Sequence, residues 1–205
     1  MRRFSLALGM LFALLAPAGI GAINGRLGLE DIQRATDLAR FPHTDAERAQ
    51  FHKRYTVAVN GPTVDYFAVE SIEVITPFRR MELIAEEHAR VNDLFARGGL
   101  RDAEEALRPW RDQVSIVTRV RFDQTKVIPD VPAVDVTIEG PTLALPIMTS
   151  NSGIYTHTGD QSWLVGGLVD AVFDVRAVGQ ATQLVVIRWN GKEIARVSID
   201  FAALE

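Results

Sequence analysis

Four histidines, at positions 43, 52, 88 and 157, are the residues of this chain best suited to acid–base work, because imidazole titrates near neutrality. No two stand four apart on a helix, so the spacing predicts no metal site, and no motif predicts a cofactor. His43 lies near Asp45 in what reads as a loop, and His88 falls on the apolar stripe of a helix. His157 stands three residues before Asp160, in a polar stretch of about 15 residues. That stretch, Thr149 to Trp163, reads as an exposed loop carrying Tyr155, His157, Asp160 and Trp163. Aromatic faces with hydroxyls and an imidazole suit the binding of a protein or a glycan. The same imidazole and carboxylate could serve an acid–base site, as could His43 with Asp45.

Other chemistries are excluded more firmly. The chain has no cysteine, which removes disulfides, thiolate nucleophiles and thiolate-bound metals. Glu86-Glu87 and Glu104-Glu105 are adjacent on helices and point about 100° apart, so neither pair can share a substrate; both read as solvated helix surface. Ser162 stands near Gly166 and Gly167, but the spacing of a nucleophile elbow is missing, as are phosphate-binding and dinucleotide-binding glycine patterns. No Asn-x-Ser/Thr sequon occurs.

The elements that must position these residues follow from periodicity. Leu29, Ile32, Ala35, Leu38 and Ala39 predict a helix ended by Pro42, and Thr44 with Glu47 predicts a capping box opening a second one. Tyr55–Val59 predicts a short strand. Val64–Ile75 predicts a long strand with Val64, Tyr66, Ala68, Ile72 and Val74 on one face. Thr76-Pro77 predicts the start of the best helix in the chain, with Met81, Ile84, His88, Val91 and Phe95 inward. Glu86–Arg90 and Asp93–Arg97 would pair on its outside, and Gly98-Gly99 would end it. Arg101–Asp112 predicts a shorter helix.

Beyond it the period becomes two. Val114–Phe122, Val134–Glu139 and Val169–Arg176 read as half-buried strands, with prolines between several of them. Leu184–Trp189 meets Glu193–Phe201 across Asn190-Gly191, a two-residue hairpin turn that sets Trp189 opposite Lys192 and Ile187 opposite Ile194. About eight strands with little strand–helix alternation predict a mainly β (α+β) chain. The expected architecture is an antiparallel immunoglobulin-like sandwich with a two-helix insertion or cap at 76–112 and short N-terminal helices. Residues 23–205 are expected to form one domain.

The first residues set the expected compartment. Arg2-Arg3, an apolar run from Phe4 to Leu15, and small residues through Ala22 read as a cleavable secretory signal over residues 1–22. An uncleaved anchor is the alternative, although Pro17 and three small residues interrupt a stretch shorter than a membrane span needs. Without that segment the chain keeps 20 basic against 26 acidic residues, a net charge of about −6, which lacks the footprint of nucleic-acid binding. The expectation is an exported, non-enzymatic binding or interaction module, periplasmic or extracellular, making contacts through sheet edges or through Thr149–Trp163. The alternatives are an exported hydrolase around His157 and Asp160, and a structural subunit of an envelope assembly.

Overall fold

The structure, a computed structural model, describes residues 23–40, 44–91, 95, 100–179 and 181–205, so the signal reading of residues 1–22, His43 and the helix end at Gly98-Gly99 lie outside it. Its elements run α1 (Leu29–Arg40), α2 (Asp45–Lys53), β1 (Thr56–Ala58), β2 (Phe67–Ile75), α3 (Pro77–Arg90) and α4 (Arg101–Leu107). Then come β3 (Gln113–Phe122), β4 (Asp135–Glu139), β5 (Leu143–Ala144), β6 (Met148–Thr158), β7 (Gln161–Asp174), β8 (Thr182–Trp189) and β9 (Lys192–Asp200). The strands form two sheets, in the orders β1-β2-β3-β7-β6 and β5-β4-β8-β9, with every named pairing antiparallel. The chain is therefore mainly β with a few helices.

The two sheets pack face to face because alternate residues of each are apolar. Val69, Val114, Ile116, Val169 and Phe173 of the five-stranded sheet meet Val136, Ile138, Val185, Ile187 and Ile199 of the four-stranded sheet in one core. Phe67 of β2 packs edge-to-face on Trp189 of β8, with ring centroids 5.5 Å apart, and so ties the layers at one end.

A turn and two bulges separate the observed register from the expected one. Val64 to Tyr66 form a turn, with Asp65 at φ 56°, rather than the start of β2. Within β2 an extra residue, Glu70, between Val69 and Ser71 switches the buried set to Phe67, Val69, Ile72 and Val74. One inserted residue flips every side chain after it, which simple alternation cannot foresee. In the last hairpin Trp189 does face Lys192, and Asn190 and Gly191 carry the positive φ that the turn needs. Ile187, however, faces Ala195 instead of Ile194, because Ile194 is the extra residue of a bulge.

The helices form a core of their own. Ile32, Ala35 and Ala39 of α1 pack on Phe78, Met81 and Ala85 of α3 and on Ala103 and Leu107 of α4, while Leu29 and Leu38 stay exposed. Thr44 caps α2 through a reciprocal bond with Glu47, and the Thr76 hydroxyl accepts from the Arg79 amide at 3.1 Å. The Arg80 guanidinium crosses to the five-stranded sheet, donating to Ser115 Oγ at 2.8 Å and lying 3.8 Å from the centre of the Trp110 ring. Among the described residues α3 ends at Arg90, and Val91 is exposed rather than inward. Glu86 does pair with Arg90 at 2.9 Å, but it is buried, so the expectation of an outer, solvated face is corrected.

Candidate functional site

Thr149 to Trp163 is not a loop. It is the distal half of a hairpin, in which β6 and β7 pair from Met148↔Val172 to Thr158↔Gln161 around a turn at Gly159 and Asp160. Gly159 has φ +60°, the left-handed conformation that a tight turn requires and glycine adopts without strain. The sequence reads as a loop because β6 is an edge strand exposed on most of both faces, so no burial pattern marks it.

The hairpin does not bring the four expected residues into one site. Cross-strand partners share a face, so Tyr155 with Leu164 and His157 with Ser162 lie on the core side, whereas Thr156 with Trp163 lies on the opposite side. Gly153 lets the Tyr155 ring fold close: a Cβ there would meet the Leu164 side chain at 2.7 Å and the ring at 2.8 Å. His157 Nδ1 stands 2.8 Å from Ser162 Oγ. A serine–histidine pair is the start of a nucleophile, yet both side chains are exposed and no carboxylate hydrogen-bonds the ring among the described residues. Asp160 occupies the turn, exposed. His88 stacks on Phe95, centroids 4.1 Å apart.

The feature that sequence reasoning missed begins a few residues earlier. Leu143, Leu145, Ile147 and Met148 are 50–61% exposed, four large apolar side chains within six residues. β5 ends at Ala144 on one edge of the four-stranded sheet, and β6 starts at Met148 on an edge of the five-stranded sheet. Three residues span about 10 Å, the usual separation of packed sheets, so this connection crosses the side of the sandwich and aligns the two edges. The result is a continuous wall, residues 140–159, without a single Lys, Arg, Asp or Glu, in a chain where those residues make up 23%. That uncharged run was the available signal.

Comparison of the four sheet edges shows what is unusual about this one. β1 has three residues and β5 has two, with Pro141 and Pro146 beside it. β9 carries Lys192, Glu193, Arg196 and Asp200 as well as a bulge. Short length, proline, charge and bulging are the devices by which proteins protect sheet edges. β6 has eleven residues, no proline and no charged residue apart from the titratable His157; the bulge beside it falls on β7, at Val165. Among the described residues no strand lies on its outer side.

A second polar constellation is buried between α2, β2 and α3. The Arg79 guanidinium, almost wholly enclosed, donates to Glu73 Oε1 from Nε at 3.3 Å and from Nη2 at 3.0 Å, and Nη2 also meets His52 Nδ1. Its Nη1 is 3.5 Å from Glu82 Oε2: close enough to attract, yet neither atom makes a hydrogen bond, and the Tyr55 hydroxyl beside them is likewise unsatisfied. The guanidinium lies 4.9 Å from the centre of the Tyr55 ring and 5.3 Å from that of Phe51. Burial pushes the Glu82 carboxyl up to about 7, against the pull of Arg79, and raises Tyr55 as well. Burial, reinforced by the Arg79 charge, lowers His52, whose Nε2 is 3.4 Å from Glu86. The cluster is closed by the rings of Tyr55 and Phe51; the Arg79–Glu73 ion pair fastens α3 to β2, and the His52 contacts fasten α2 to α3. We read it as a structural clasp.

No family model matches the chain, and no curated protein does. A solved structure described as a novel protein of unknown function, from Burkholderia pseudomallei, is 13% identical over 86% of this chain and 92% of that one, with a TM-score of 0.38. A likeness that weak says nothing further about fold or function. No helix among the described residues is long and apolar enough to cross a membrane.

Proposed function

We propose that this chain is an exported, non-enzymatic binding module whose working surface is the uncharged wall of residues 140–159, with the outer edge of β6 as its centre. One observation carries this reading: β6 alone among the four edges lacks every protective device, while apolar side chains flank its start. An extended protein segment is the partner that such an edge suits, since unpaired backbone groups supply hydrogen bonds and the flanking Leu145 and Ile147 supply apolar contact. The Arg2-Arg3 and apolar opening of the sequence supports export. The serine–histidine contact then serves as a cross-strand tie at the hairpin tip. For the architecture we favour an immunoglobulin-like plan within a single domain, because the chain crosses between sheets at β3–β4, β5–β6 and β7–β8.

The test is the pair of substitutions Leu145→Asp and Ile147→Asp. Both side chains are exposed, so unfolding free energy should change by no more than about 0.5 kcal/mol. On gel filtration of extract from the producing cell, wild-type chain should elute in a complex and the variant at the mass of a free monomer. Identical elution of the two would overturn the proposal.

A further inference from the structure

We propose that the occupant of the β6 edge is a second copy of this chain, paired antiparallel with the first, β6 to β6, across a two-fold axis. The inference rests on the binding-wall reading and names its partner. Its geometry is simple: two five-stranded sheets would join into one of ten strands, and each unpaired edge would cover the other.

Charge points to this partner. The chain holds 26 acidic against 22 basic residues, so two copies repel in general. Between Glu139 and Asp160 no Lys, Arg, Asp or Glu interrupts the wall, and here two copies can approach with none of those charges facing one another. A strongly charged partner would find nothing to neutralise it there. The side chains are also suited to their own kind. Ser150, Ser152 and Thr156 project from the face shared with Trp163, and Thr149 and Asn151 from the other. Hydroxyls and amides both donate and accept, so identical strands can satisfy one another, whatever the register. Cross-strand Ser/Thr pairs are among those that stabilise sheets.

Size is compatible as well. A stable interface takes about 800 Å² and 20–30 residues from each partner. The stretch from residue 140 to Trp163, apolar at one end and aromatic at the other, is a segment of that length. The arrangement is isologous, the commonest symmetry of soluble oligomers.

Sedimentation of the purified chain tests the proposal. Wild type should sediment at twice the chain mass. Ser150→Lys with Ser152→Lys sets lysines against lysines across the axis and should raise the dimer dissociation constant about 100-fold or more, with the thermal midpoint unchanged at concentrations dilute enough for wild type to be monomeric. Because the chain has no cysteine, single cysteines at Ser150, Ser152, Ile154 and Thr156 give a second measurement that needs no stability argument. Oxidation should link two copies at one or two of these positions and at none when the cysteine replaces Ser198. A wild-type dimer indifferent to the lysines and unlinked by every β6 cysteine would overturn the inference. A monomer that enters a larger complex only with another protein would also overturn it, while leaving the binding wall standing. A monomer with no complex in extract would remove both.

Discussion

Replacing Arg79 with methionine is expected to cost about 3–5 kcal/mol of folding stability, the penalty for removing one member of a buried ion pair. The guanidinium is almost wholly enclosed and is the shared counter-charge of Glu73 and Glu82. Glu73 is partly exposed and can be rehydrated, but Glu82 cannot, and without Arg79 its carboxyl must take up a proton and stay enclosed with no partner. The π faces of Tyr55 and Phe51 would also lose the cation they hold. Pairing Arg79→Met with Glu82→Leu should recover at least about 1 kcal/mol of the loss, since two apolar groups need no compensation. Urea titration of the two single variants, the double variant and wild type measures the coupling. Additive losses would mean that Arg79 and Glu82 do not act as a pair.

The same cluster makes stability depend on pH in a direction opposite to that of ordinary carboxylates. Glu82 is held at about 7 in the folded chain, above the ordinary glutamate value of 4.5. Between those values the folded state binds more protons than the unfolded state, so stability falls as pH rises through the window and levels off above it. His52 acts the other way. Its lowered value means that the folded state sheds its proton first, so this contribution rises with pH toward the unfolded value of 6.5. Glu82→Gln removes the first contribution and keeps the second. The stability of wild type relative to Glu82→Gln should therefore fall by on the order of 1–3 kcal/mol from pH 4.5 to pH 7. Parallel stability profiles for the two proteins would show that Glu82 titrates normally.

Neither effect was legible in the sequence, and the reason is geometric. Arg79 and Glu82 lie off the stripe through Met81 and Ile84, and periodicity marks only that one packed face. In the fold α3 packs on α1 with Phe78 and Met81 and meets β2 and α2 with Arg79, beside which Glu82 is enclosed, so little of its first turns is left to water. Elements whose signals are local were legible: the capping box at Thr44, the cap at Thr76, and the turn at Asn190-Gly191. Strand faces were legible on one side of a bulge only: in β2 Ile72 and Val74 point inward as expected, but before Glu70 the buried residues are Phe67 and Val69, and in the last hairpin the expected register holds from the turn only to the bulge at Ile194.

The uncharged wall shows the opposite limit. β6 was hidden because an edge strand exposed on both faces has no core to pattern it, so Ser, Thr, Asn and Gly there look like loop. Its neighbour β7, buried from Gly166 to Phe173 at most positions, announced itself by alternation. The absence of charge across residues 140–159 was visible from the start, but it becomes a functional signal only when the topology places that run along one side of the sandwich.

The most direct test of the wall is a photo-crosslinking side chain placed at Ser150, on the edge strand, and separately at Ser198, on the charged edge of β9. Irradiated in the producing cell, the chain carrying the probe at Ser150 should shift to a discrete heavier adduct, and the chain carrying it at Ser198 should not. No adduct from Ser150, or equal adducts from both positions, would contradict the assignment of β6 as the surface by which this protein works.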